Sequence, residues 1–223
     1  MGGQARAAGS RRLSLRAAVA LLSVLVMAAL YVFIPRHANL ASFDPKAMGQ
    51  LETAMWRHYY EKRYVALARD LYDTARLEQG FSPWDSVRIA FAAASAAGTF
   101  QPTTSRSAAE KALPSLETYF GLLARAAPVK VDVGDAARTE LAWWQARREA
   151  VPPEEYGLMI ARVTSLLYGV SGEDVQRAGI LRAQAMDYRD AHGTNMTEGD
   201  WATIAEALQR SYAMLKAALT KAQ

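Results

Sequence analysis

Between Ala17 and Ile34 the chain carries one polar side chain, Ser23, and no charge. Coiled as a helix, that run is about 27 Å long at ~1.5 Å per residue, close to the thickness of a bilayer's hydrocarbon core. Arg6, Arg11, Arg12 and Arg16 precede it without an acidic residue, whereas Arg36 and His37 follow it and Asp44 comes soon after. Because basic flanks stay on the cytoplasmic side of a span, residues 1–16 read as a cytoplasmic basic tail and 17–35 as a transmembrane signal anchor, leaving 41–223 as an extracytoplasmic helical domain. Cleavage as a signal peptide, at Val26-Met27-Ala28, is the alternative. It would leave Leu30 to Ile34 as a greasy new terminus, so an uncleaved anchor is favoured. Pro35 cannot continue the helical hydrogen-bond ladder and ends the span. A lipid bilayer, met through residues 17–34, is the first partner expected.

The formal charge of +4 belongs to this flank. Five of the 26 basic residues precede Asp44, so the remainder carries 21 basic and 22 acidic side chains. A near-neutral domain of interspersed sign lacks the basic stripe that tracks phosphates, and no nucleic acid is expected as a partner. The chain has no cysteine, which excludes disulfides, thiolate catalysis and thiolate metal sites. The composition, rich in alanine and arginine, points to a bacterial envelope protein, at the inner membrane's periplasmic side or at the cell surface.

Every later signal is helical. Asp44-Pro45 opens a helix expected to run to about Glu78, with Tyr60, Tyr64, Leu67, Leu71 and Ala75 as its buried stripe and Arg57/Glu61 and Arg69/Asp73 as exposed pairs. Gly80 stops it. Ser82-Pro83-Trp84-Asp85 opens a second helix whose body, Ala90 to Gly98, consists of small residues suited to close approach. A third, capped by Ser107 with Glu110, reaches Ala126 with a kink expected at Pro114. From Asp135 a fourth helix is broken at Pro152-Pro153 and resumes to Gly169. Two more start at Ser171 and at Thr197, the last presenting Trp201, Ile204, Leu208, Tyr212, Leu215 and Leu219 on one face. The fold class expected is all-α: a single N-terminal transmembrane helix followed by a helical bundle.

Parts of the two halves echo each other. At a nearly constant offset, Asp44, Glu52, Ala54 and Trp56 fall on Asp132, Glu140, Ala142 and Trp144; Gly80, Ser82, Asp85 and Arg88 fall on Gly169, Ser171, Asp174 and Arg177; and Tyr119 and Leu122 fall on Tyr212 and Leu215. The matches are colinear, and a tandem duplication of a three-helix unit, 44–126 and 132–221, is expected on that ground.

The duplicated polar residues are the candidate site: Glu52, Trp56, Arg88, Glu140, Trp144 and Arg177. Each Glu lies one helical turn before a Trp, and each Arg lies one turn into the following helix. The structural reading has each Glu meet its own Arg in a buried pair. In the functional reading the two Glu converge on a ligand-binding pocket between the repeats. Met55-Trp56-Arg57-His58-Tyr59-Tyr60 reads first as core and second as the wall of a pocket for an apolar or quinone-like ligand. Carboxylate di-metal bundles use Glu-x-x-His motifs, and none follows Glu52, Glu61 or Glu140. No metal, no cofactor and no catalytic residue is expected. The function expected is that of a membrane-anchored, non-enzymatic module binding a membrane or envelope protein as scaffold or accessory; the alternative is a ligand-binding protein or enzyme with a pseudo-symmetric pocket.

Overall fold

The structure, a computed structural model, describes residues 3–222, with side chains from Ala17 onward. Among these residues there are helices and no strands. Helix α1 (Gly3–Phe33) carries the apolar run, and nearly every side chain from Ala17 to Ile34 is exposed. Among the described residues no helix is long and apolar enough to cross a membrane. The apolar part of α1 with described side chains, 17–33, measures about 25 Å against a hydrocarbon core of about 30 Å. The helix also ends at Phe33, before the expected boundary at 35. The arginines of the expected basic tail lie outside the residues whose side chains are described.

A short neck, with a 3₁₀ turn at Leu40–Ser42, leads to eight helices that close into a ring: α2 (Pro45–Tyr60), α3 (Tyr64–Asp73), α4 (Pro83–Phe100), α6 (Leu113–Leu123), α7 (Val133–Arg148), α8 (Pro153–Tyr168), α9 (Glu173–His192) and α10 (Glu198–Lys221). A single turn, α5 (Arg106–Ala109), precedes α6. Each ring helix packs on the next, and α10 packs back on α2. At the tightest crossing, between α8 and α9, a Cβ on Gly157 would lie 2.6 Å from the Ile180 Cα, so only a hydrogen fits there.

Three expected caps are present: Asp44 accepts from the Ala47 amide, Ser82 from Asp85, and Thr197 with Asp200 forms a reciprocal capping box. The fourth helix starts earlier than expected, at Val133, with Asp132 accepting from Asp135, and α9 starts after Gly172 with no side-chain cap from Ser171. Three further expectations change. The long first helix breaks at Lys62, whose φ of +58° reverses the chain into α3. The third helix is capped by Ser105, and Pro114 falls in the first turn of α6, where its missing N–H is no loss. Helix α3 ends in a π-turn, Thr74–Glu78, which widens the coil before Gly80.

The two halves therefore hold four ring helices each, where three were expected. They share local geometry beyond the residue matches. Helices α2 and α7 end in the same turn, with Lys62 and Ala150 at φ +58° and +56°. In both, an amide reaches back to a carbonyl of the last turn: Arg63 N to His58 O at 2.8 Å, and Val151 N to Ala146 O at 3.0 Å. The following helices end at Gly80 and Gly169, with φ of +75° and +69°.

Candidate functional site

Helices α2 and α7 place Glu52 and Glu140 on the inner face of the ring. Helix periodicity adds Trp56 and Trp144 one turn further along the same faces. All four line one cavity of about 330 Å³. Its walls are Met55, Tyr59 and Tyr60 from α2, Leu67 and Leu71 from α3, Ala93, Ala97 and Phe100 from α4, Tyr119 from α6, Trp143 from α7, and Arg182 and Met186 from α9. The small residues of α4, expected to allow close approach, here also leave the space: Ala93 and Ala97 face the void, while Ala92 and Ala96 are buried in packing. Phe100 stands edge-on to Trp144 with centroids 5.1 Å apart. Trp56, Tyr59, Tyr60 and Trp144 are half-buried, so the cavity reaches solvent between them.

The floor is charged and unequal. Glu52 is 1% exposed. Its Oε1 accepts from Arg182 Nε at 2.7 Å, with Nη2 in ion-pair contact at 2.6 Å, and its Oε2 accepts from the Tyr212 hydroxyl at 2.6 Å. Glu140 accepts only the Trp144 indole N–H, at 3.0 Å. Burial pushes the Glu140 carboxyl above the ordinary carboxylate range, opposed by the Arg182 charge and by the indoles of Trp143 and Trp144. Burial likewise raises the Tyr119 and Tyr212 hydroxyls, with Glu52 adding to the effect on Tyr212. Trp143 is 6% exposed, and its Nε1 has no hydrogen-bond partner.

Arginines stiffen the rim. Arg147 donates to the Tyr60 hydroxyl at 2.6 Å and grips Asp190 at 2.8 and 2.9 Å. Arg189 stacks 3.2 Å from the centre of the Tyr60 ring. Arg148 covers the outer face of Phe100 and donates to carbonyls of Phe100 and Thr103. His58 turns away from the cavity to Asp70 on α3, at 2.5 Å.

Four of the six anticipated residues thus meet. Arg88 and Arg177 do not join them: Arg88 pairs at 3.4 Å with Asp85, a buried acid that Arg125 approaches to 2.7 Å, and Arg177 pairs at 2.5 Å with Glu173, each acid lying in the first turn of the arginine's own helix. The expected pair of ion pairs is one ion pair, made by Arg182, which the sequence reasoning missed and which has no counterpart in the first half. Tyr119 and Tyr212 were matched in the sequence as part of the echo; the structure puts one beside each end of the carboxylate pair. Among the described residues no group of three acids or histidines is arranged to hold a metal. No family model, no curated protein and no solved structure matches the chain.

Proposed function

We propose that this chain is a membrane-tethered ligand-binding protein, whose helical ring receives a small organic molecule with an apolar or aromatic body. The observation that carries the reading is the convergence of Glu52, Trp56, Glu140 and Trp144 on one solvent-reached cavity, in place of two self-contained ion pairs. A cavity of this size, apolar on its walls with a few polar groups at its floor, is the usual form of a small-molecule site. The shared turns at Lys62 and Ala150 support an origin by duplication of a four-helix unit, with the pocket where the two units face each other.

The tether rests on α1. Ser23 apart, its side chains from Ala17 to Leu30 are apolar on all sides and are left uncovered by the rest of the chain, which suits lipid better than water. Its helical backbone continues to Gly3, and local bilayer thinning can make up a short apolar core. The arginines before it in the sequence support a cytoplasmic N-terminus with the ring on the extracytoplasmic side. Phe33 packs on Trp84 at 5.5 Å, and the outer face of α4 goes on with exposed Val87 and Phe91. That stripe favours a second reading, in which the ring also docks an envelope protein beside the membrane.

Native mass spectrometry of the full-length protein tests the proposal. Recovery from the membrane fraction with a small bound mass, lost when Ala97→Phe fills the cavity, is the expected result. Recovery from the soluble fraction overturns the tether, and the absence of any small mass overturns the pocket. A co-purifying polypeptide retained in Ala97→Phe supports the second reading.

A further inference from the structure

Two carboxylates face one guanidinium at the floor of the ring, and the guanidinium is committed. Arg182 spends two of its nitrogens on Glu52, whose other oxygen takes Tyr212. Glu140 is left with a neutral indole donor. No other side chain donates a hydrogen bond to Glu140 among the described residues, and Arg147 at the rim is held by Asp190 and Tyr60. An ionised Glu140 is therefore a negative charge without its own counter-ion, enclosed by ring faces. A cation gains both from that charge and from the electron-rich π-faces around it. A neutral or anionic guest gains neither.

Resting on the ligand-binding reading above, we infer that the cavity takes an organic cation, with its ammonium end against Glu140 and its body between Trp56, Tyr59 and Trp144. An amine or quaternary ammonium with an aromatic or alkyl body meets that demand.

The test is calorimetric titration of the full-length protein, in a non-ionic detergent, with three probes of one shape: benzyldimethyl(2-hydroxyethyl)ammonium, its neutral carbon isostere 3,3-dimethyl-4-phenylbutan-1-ol, and the carboxylate 3,3-dimethyl-4-phenylbutanoate. The cation binds at least about tenfold more tightly than the alcohol, and the carboxylate binds least. Glu140→Gln removes most of the cation's advantage over the alcohol, leaving only the part supplied by the ring faces, while the far-ultraviolet circular dichroism is unchanged. Equal binding of cation and alcohol in the parent, preference for the carboxylate, or a cation affinity untouched by Glu140→Gln overturns the inference and leaves the pocket standing. Failure of all three probes also overturns it. The pocket reading falls with it only if the protein from its own membrane carries no small mass.

Discussion

Arg182 and Glu52, 130 residues apart in the chain, meet through a hydrogen bond from Nε at 2.7 Å and an ion-pair contact from Nη2 at 2.6 Å in the middle of the helical ring. They join α9 to α2 across the cavity floor, and Tyr212 on α10 completes the set. One carboxylate of a pseudo-equivalent pair is thereby neutralised, and the other is kept free for something else.

Removing one partner of this pair leaves a buried charge alone. Arg182→Met is expected to cost about 3–5 kcal/mol, because Glu52 is enclosed and cannot regain water. Arg182→Met combined with Glu52→Gln recovers most of that loss, since no uncompensated charge remains. Urea denaturation of the two variants against the parent measures the difference. An equal loss in both would show that packing, and not charge, is what the pair supplies.

Glu140 acts in the opposite sense. Its folded carboxyl holds a proton to higher pH than the unfolded one, whose ordinary value is 4.5. Below that value the group favours neither state; as pH rises through it toward the raised folded value, the unfolded chain ionises first and the fold loses stability. Glu140→Gln removes this loss. The variant is expected to match the parent at pH 4 and to melt a few degrees higher at pH 7 to 8, as followed by thermal denaturation across pH.

The crossing of α8 and α9 has no room for a methyl group. Gly157→Ala sets its Cβ against the Ile180 backbone, at 2.6 Å before relaxation, so the helices must part. The expected cost is about 1–3 kcal/mol, in line with overpacking elsewhere. Gly98→Ala, where nothing lies within 4 Å, is the control. It is expected to leave stability unchanged or to raise it by up to about 1 kcal/mol, because alanine favours a helix interior. Chemical denaturation of both variants reads the contrast.

Much of this arrangement was legible in the sequence. Glu52/Trp56 and Glu140/Trp144 could be placed together because helical spacing puts both members of each pair on one face, and because the motif occurs twice. Asp44, Ser82 and Thr197 announced their helices through short side chains that can reach the free amides of a first turn. The break at Lys62 was not legible. The left-handed conformation there falls on a lysine, and neither glycine nor proline marks it. Arg182 was missed for a different reason: its partners lie in other helices, and nothing around it in sequence sets it apart from the arginines of a solvated face. The alanines of α4 carried an ambiguous signal, because a small side chain allows either contact or a gap. What decides is the bulk that props the neighbouring helices apart, here Phe100 against Trp144.

Lys216 ties α10 to the neck, its Nζ donating to the carbonyls of Ala41 at 2.6 Å and Phe43 at 3.1 Å. Tyr212, whose hydroxyl rests on Glu52, stands one turn earlier on the same helix. The neck and the cavity floor are thus joined through a single turn of α10. The handle of the molecule and the floor of its chamber are therefore cut from one piece of helix.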